Sequence, residues 1–521
     1  MAEPTPTPAA AAEQDVKMDE TEATQATPVP PATSAGIASR KHAAKERQAR
    51  QKYDQSEYTP ELDENGQPLP KSQRQPKRKV AVMIGYCGTG YNGLQIQPDP
   101  ATKTIERDLY DAMHRAGAIS RENALDLKKS GFQRTARTDK GVHAAGNVVS
   151  LKMIIEDAQI KDKINSHLPE QIRVWGIQRT TKGFDCRKMC SSRVYEYLLP
   201  CYSLLKPRPG TRLSSLIREA QREHPREMFM DDGGEGDAWW GGVQSELLQS
   251  GITPAQLESM SSLIDEESSE SLDSSDPIWR KVKQIENQAR RSYRISHHRL
   301  EAFKLAMAQY QGTHNFHNFT VGKPHHDTSA RRYIISTDVS DPFVIDGTQW
   351  VSIKIHGQSF MLHQIRKMIC MAALVVRCSL PPAKVIPMCF QNAKINIPKA
   401  PALGLLLENP VFDAYNVKLK DNAYDAIDFG KYHEEMLAFK MRHIYDKIYA
   451  DEVKDNTFYS FFGYIDNWRL PDTEDARGNV TTIFDFLHNY LESAENDDAE
   501  PVEGNTVDGN TVDGKEDEKK D

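Results

Sequence analysis

Residues Gly131 to Lys152 read GFQRTARTDKGVHAAGNVVSLK. A short strand-like run leads into a polar turn, and Asn147 to Met153 (NVVSLKM), rich in β-branched and apolar side chains, reads as its partner strand. The turn holds one carboxylate, Asp139, among Arg134, Arg137, Lys140 and His143. Nearby cations favour the ionised form of a carboxylate, so Asp139 is suited to act as a nucleophile or base and not as an acid. The same cations suit the phosphates of a nucleic acid. Local chemistry alone leaves a structural, salt-bridged Asp as the plainer reading.

Outward from this turn the chain alternates strands and helices. Lys79 to Tyr86 (KVAVMIGY) reads as a buried strand ending in the turn-rich CGTGYNG, which no GK[ST] follows, so it is not a Walker loop. Ile105, Leu109 and Met113 fall on one helical face within Thr104 to Gly117. Arg173 to Arg179, Arg193 to Leu199, Arg332 to Val339 and Gln349 to His356 are further strands. Leu300, Phe303, Met307 and Tyr310 mark a helix closed by Gly312. A helix from Phe360 to about Cys378 has a core stripe of Met361, Ile365, Met368, Ala372 and Val376, and a late helix packs through Leu437, Met441, Ile444 and Ile448. The class is α+β, with mainly antiparallel sheets and helices on one face.

Composition narrows the partners. The net charge of −8 is unevenly spread: Glu492 to Asp521 holds twelve acids against three lysines, and Asp231 to Asp276 holds twelve acids and no Lys or Arg. The rest of the chain therefore carries +13, as a polyanion binder with solvated acidic appendages would. The seven cysteines form no CxxC pair and lack histidines at zinc-finger spacing, so they read as reduced thiols. No apolar run approaches the roughly 18 to 20 residues that span a bilayer. The N-terminus resembles neither a secretory signal nor an Arg-rich presequence, which points to nucleus or cytosol. Two basic runs, Arg40 to Lys52 and Lys77-Arg78-Lys79, are each an import signal, an RNA-contacting arm or merely solvated charge.

Five segments in order resemble one family. Ala136-Arg137-Thr138-Asp139-Lys140-Gly141-Val142-His143-Ala144 is similar to G-R-T-D-x-G-V-H-A, departing at Ala136, and KVAVMIGYCGTGYNGLQIQ from Lys79 is similar to an opening strand and aromatic loop. Ser192 to Tyr197 (SRVYEY) resembles R-x-Y-x-Y, Gly312 to Phe319 (GTHNFHNF) resembles G-x-H-x-F-x-x-F, and Ser359 to Met368 (SFMLHQIRKM) resembles F-x-x-H-x-(V/I)-R. These are motifs of the TruA family of tRNA pseudouridine synthases. Ile397 to Pro410 (IPKAPALGLLLENP), with the acidic insertion after the R-x-Y-x-Y strand, resembles the eukaryotic nuclear tRNA pseudouridine synthase 1 branch. The resemblance spans roughly Lys77 to Trp468 apart from the insertion.

The resemblance implies the pseudouridine synthase fold: two subdomains meeting at a central sheet, with a basic cleft and helices on the outer face. It divides the chain into a disordered region with a basic segment (1–76), a catalytic subdomain carrying Asp139 and Tyr195 (77–203) and an acidic, partly disordered insertion (204–290). A second subdomain carrying Arg366 (291–420), a C-terminal helical extension (421–490) and an acidic disordered tail (491–521) follow. It further implies a cofactor-independent isomerase of uridine in tRNA, with no metal site and with small nuclear and messenger RNA as further substrates. The family's bacterial relatives are dimers, but the insertion and the extended C-terminal region point to a monomer here, and the basic clusters together with the subfamily point to the nucleus. Asp139 would start cleavage of the N-glycosidic bond, by attack at C1′ or by deprotonating C2′. Tyr195 would stack on the uracil, Arg366 would pair with Asp139, and Arg137 would help displace the base from its helix. Tyr197 reads as a packed core residue. His143, His314, His317 and His363 read as RNA contacts or local hydrogen-bonding groups. The rival readings are a non-catalytic RNA-binding protein on the same fold and a nucleoside hydrolase.

Overall fold

The run of apolar residues after Lys79 forms a strand covered on both faces: Val80 to Ile84 are all at most 1% exposed. Full burial of each Val or Ile side chain there contributes on the order of 2 kcal/mol. The computed structural model describes residues 75–120, 123, 127–223, 229–257, 277–419 and 424–467. The basic run Arg40 to Lys52, nearly all of the 1–76 region and the acidic tail 491–521 lie outside the described residues.

In chain order the main elements are β1 (Lys77–Tyr86), α1 (Ile105–Arg115), β2 (Gln133–Arg134), β3 (His143–Ile154), α2 (Ile160–His167), β4 (Ile172–Arg179) and β5 (Ser192–Pro200). Then come α3 (Arg212–Glu223), α4 (Glu235–Gln249), α5 (Pro277–Ser292), α6 (His297–Ala308), β6 (Gly312–Asn315), β7 (Arg331–Val339), β8 (Phe343–Ile345) and β9 (Thr348–Gly357). The order closes with α7 (Gln364–Arg377), β10 (Leu405–Val411), α8 (His433–Phe439), α9 (Asp446–Asp455) and α10 (Thr457–Asp466). One ten-stranded sheet runs β4-β1-β3-β10-β5-β9-β7-β6, with β2 beside β3 and β8 beside β9. Every pairing is antiparallel except β10 with β3. The α+β class and the single central sheet are as expected.

Several local readings change. Lys77-Arg78-Lys79 does not precede the first strand but opens it: Arg78 pairs with Glu156 at 3.0 Å and Lys79 Nζ donates to the Gly131 carbonyl at 3.3 Å. β10 was not anticipated, yet it joins the two halves of the sheet. α7 starts at Gln364 and not at Phe360, because His363 takes a left-handed conformation at φ 62°. Its stripe Ile365, Met368, Ala372 and Val376 is buried as expected. In the C-terminal helices Leu437 and Met441 are 46% and 45% exposed. The buried stripe is instead Met436, Lys440, Ile444 and Ile448, one residue out of phase at its start, through a π-helical turn at Lys440–Tyr445.

The acidic insertion contains more order than its composition suggests. Trp240, Val243 and Leu247 of α4 meet Ile252, just beyond that helix, and Val282 of α5 in a satellite core. Trp240 Nε1 donates to the Lys206 carbonyl at 3.1 Å. Two of the acids are answered by cations that flank the acidic run: Arg299 of α6 reaches Asp232 at 2.9 Å and Glu235 at 3.2 Å, and Lys206 reaches Asp232 at 3.1 Å. No helix among the described residues is long and apolar enough to cross a membrane.

Candidate active site

The site is assembled along one row of the sheet. Tyr86 of β1 registers with Ala144 of β3, Ala144 with Leu407 of β10, Leu407 with Tyr195 of β5, and Tyr195 with Ile355 of β9. Residues in register share a face, so Tyr86 and Tyr195 flank the mouth of the loop between β2 and β3 that carries Asp139. The Tyr86 hydroxyl accepts from Asn147 Nδ2 at 3.3 Å and lies 2.8 Å from Thr138 Oγ1, which fixes the residue next to Asp139. Burial pushes the Tyr86 phenol well above its usual range, so it stays protonated and able to donate.

The loop after β1 closes on the same turn. Leu94 N donates to the Thr138 carbonyl at 3.1 Å and Gly141 N to the Tyr91 carbonyl at 3.3 Å. Two glycines permit this approach: a Cβ on Gly88 would stand 2.2 Å from the Val142 carbonyl oxygen, and one on Gly93, at φ 86°, would stand 2.8 Å from that of Thr138. The glycine-rich loop thus cradles a backbone turn and not a phosphate.

Asp139 is partly exposed, its side chain at 42%. Its cationic company differs from that read along the chain. Arg134 turns to the buried Glu106, with Nη2 at 3.1 Å from Oε2. His143 is fully buried and accepts from Gly88 N through Nδ1 at 3.2 Å. Burial, with Lys447 adding to it, lowers its pKa to about 4, so it is neutral. Arg137 and Lys140 are exposed. The group that meets Asp139 is instead His363, with Nε2 3.8 Å from Oδ2. Burial lowers the His363 pKa; Lys399, Arg366 and Lys367 lower it further, and Asp139 raises it. Asp139 and Arg366 therefore both lie within electrostatic range of one imidazole.

Arg366, in the first turn of α7, donates through Nε to the Ala400 carbonyl at 2.6 Å, tying that helix to the Pro398–Pro401 segment before β10. Its neighbour Lys367 is buried and donates to the carbonyls of Asn318 at 3.2 Å and Thr320 at 2.9 Å. Burial, then Lys399, lowers the Lys367 pKa to about 8. Tyr195 is 9% exposed and meets Phe360 edge-on, ring centroids 5.2 Å apart. Burial pushes its phenol up to about 12; Arg193 opposes this and Asp139 adds to it. Arg193, missed as a site residue, bridges the two parts of the site: Nη2 donates to the Thr135 carbonyl at 3.1 Å and Nη1 to that of Gln358 at 3.1 Å. Its only sequence signal is the arginine of R-x-Y-x-Y.

The remaining candidates separate cleanly. Tyr197 is a core residue, its hydroxyl donating to the Pro401 carbonyl at 2.7 Å. His314 stacks on Phe390 at 4.4 Å and lies 2.7 Å from the Gln311 carbonyl. His317 is buried edge-on to His325. Among the described residues no three His, Cys, Asp or Glu side chains are placed to hold a metal.

The chain is similar to known proteins over much of its length. A family model described as tRNA pseudouridine synthase matches residues 306–413, the stretch that carries Arg366. tRNA pseudouridine synthase 1 of Candida albicans is 62% identical over 475 residues, 88% of this chain and 77% of that protein. Its namesake in Saccharomyces cerevisiae is 53% identical over 441 residues, 82% of this chain and 80% of that one. The tRNA pseudouridine(27/28) synthase of Saccharomyces cerevisiae is 38% identical over 391 residues, 75% of this chain and the whole of that protein. With relatives this similar over this much of its length, the chain belongs to the tRNA pseudouridine synthases, the RNA enzymes that isomerise uridine to pseudouridine, in their eukaryotic tRNA pseudouridine synthase 1 branch.

Proposed function

We propose that Asp139 is the reactive carboxylate with which this synthase isomerises uridines at several positions in tRNA, and that small nuclear and messenger RNA are further substrates. The observation that carries the reading is the convergence on the Asp139 turn of groups from three separate elements. Tyr86, Tyr195, Arg193, His363 and Arg366 come from β1, β5 and the entry to α7, and the turn itself links β2 to β3. A binding module has no need of a carboxylate surrounded in this way beside a phosphate-rich ligand.

In this reading the uridine leaves its stack, assisted by the exposed Arg137, because a stacked nucleoside cannot turn its glycosidic bond to a carboxylate. Asp139 then either attacks C1′, breaking the C1′–N1 bond and releasing uracil, or removes the C2′ proton as the C1′–N1 bond breaks. The freed uracil rotates and bonds C1′ through C5, which expels the Asp139 carboxylate from C1′ in the first route and returns the proton from Asp139 to C2′ in the second; the C5 proton leaves to solvent and N1 ends protonated. No water is consumed. Tyr195 holds the free base against its ring, which requires Phe360 to leave its edge contact. Arg366 keeps Asp139 ionised.

The monomer reading rests on the insertion and the C-terminal helices, which add to the two subdomains. A nuclear location rests on the Arg40 to Lys52 run, now that Lys77 to Lys79 are part of a strand. The test is incubation of the full chain with tRNA, small nuclear RNA and messenger RNA, each carrying tritium at uridine C5. Tritium release with pseudouridine in the digested nucleosides supports each substrate class, and binding without release rules that class out. Size-exclusion with light scattering reads the oligomeric state; a dimer would overturn the monomer.

A further inference from the structure

His363 combines three features that a packing residue does not need. It holds φ 62° without being glycine, at the residue before α7 begins. A non-glycine residue in this left-handed region costs of order 1 kcal/mol or more, and such residues collect at active sites. Its Nδ1 is buried with no hydrogen-bond partner. Its Nε2 faces Oδ2 of Asp139 at 3.8 Å.

These features select a tautomer. A proton on Nδ1 would bury an unpaired N–H and turn the Nε2 lone pair towards a carboxylate, two unfavourable arrangements at once. With the proton on Nε2, only an acceptor site is left unpaired and the N–H points at Asp139. The other groups around the ring are Lys399, Arg366 and Lys367, all cations, and together with burial they hold the imidazole neutral.

We propose that His363 is a positioning residue for Asp139: its Nε2–H donates to Oδ2 when substrate closes the site, leaving the other carboxylate oxygen to face the sugar. The 3.8 Å separation is longer than a hydrogen bond, as such contacts often are before substrate binds. A neutral donor orients the carboxylate without giving it a proton, and the left-handed backbone at His363 aims the ring across the turn where a helical conformation would send it elsewhere. The proposal rests on Asp139 being the reactive carboxylate.

The backbone also supplies the test. Glycine and asparagine both tolerate positive φ, so His363→Gly removes the imidazole without strain and His363→Asn keeps a side-chain N–H donor. Single-turnover tritium release and tRNA affinity are measured for both, with Asp139→Asn alongside. His363→Gly should slow release by roughly 10- to 100-fold, with tRNA affinity and melting temperature near wild type, and His363→Asn should recover part of the rate. A wild-type rate in His363→Gly overturns the proposal, and so does equal loss of rate and affinity with no recovery by Asn. If Asp139→Asn itself turns over normally, the reading of Asp139 fails instead, a result separable from the first.

Discussion

The Tyr86 hydroxyl stands 2.8 Å from Thr138 Oγ1, one residue from Asp139, and takes its other bond from Asn147. All three polar groups are buried. Tyr86→Phe leaves two of them short of a partner, which costs about 1 to 3 kcal/mol. Urea unfolding should show that loss. Single-turnover rates should fall more than tRNA affinity, because the turn loosens while the RNA surface remains. An unchanged rate would mean that Thr138 needs no such tether.

Arg366→Ala should lose turnover with a smaller effect on tRNA affinity, and Arg366→Lys should restore only part, since an ammonium lacks the planar fork. Filter binding beside tritium release separates the two quantities. Equal losses in both would remove Arg366 from the reaction and leave it a contact residue.

A buried ion cluster fastens the C-terminal helices to the sheet. Glu196, on the face opposite Tyr195, takes Lys440 Nζ at 3.0 Å and the Tyr445 hydroxyl at 2.7 Å, and Lys440 also reaches Glu408 at 2.7 Å. Burial alone would raise the Glu196 pKa, but Lys440 and the hydrogen bonds outweigh it and lower it; burial raises that of Glu408. Lys440→Met leaves both carboxylates buried without their cation, at a cost of about 3 to 5 kcal/mol near neutral pH. Their folded pKa values then rise above the unfolded ones, so the penalty grows as pH rises through and above about 4. Urea midpoints at pH 5 and pH 8 should show the larger deficit at pH 8.

His143 carries its own pH dependence. Its pKa of about 4 when folded lies below the ordinary 6.5, so the unfolded chain takes up the proton first as pH falls. The stability due to the neutral ring is present above about 6.5 and is lost on the way down to about 4, to a total of about 3 kcal/mol. His143→Gln keeps a side-chain acceptor for Gly88 N and does not titrate. Its urea midpoint should fall less between pH 7 and pH 5 than that of the wild type.

What the chain declares in its sequence is local. The run from Val80, the helical face of Ile105, Leu109 and Met113, and the alternation in β9 are periodic patterns, and each became the element expected. The failures are non-local or depend on single backbone angles. Arg134 and His143 sit beside Asp139 in sequence, but Arg134 turns to Glu106 and His143 goes into the core, so proximity along the chain overstated their part in the charge. β10 (LLLENPV) was hidden because it follows the proline-punctuated IPKAPALG run, is short and holds Pro410 itself, and only the gap between β3 and β5 makes it a strand. The insertion read as solvated acid, since the partners of Asp232 and Glu235 lie at Lys206 and Arg299. The left-handed turn at His363 leaves no mark on a helix-like stretch. Asp139, Tyr195 and Arg366 came from motifs, and the structure sets Tyr195 and Arg366 about the Asp139 turn through Arg193 and His363.

The most direct test of the account replaces one carboxylate. Asp139→Asn keeps the shape of the turn and removes the anion. Wild type and variant are incubated with tRNA tritiated at uridine C5, and tritium release is followed beside tRNA affinity. The account predicts release by the wild type, none above background by the variant, and affinity in the variant within about threefold, a difference under 1 kcal/mol. Release by Asp139→Asn at the wild-type rate would contradict it.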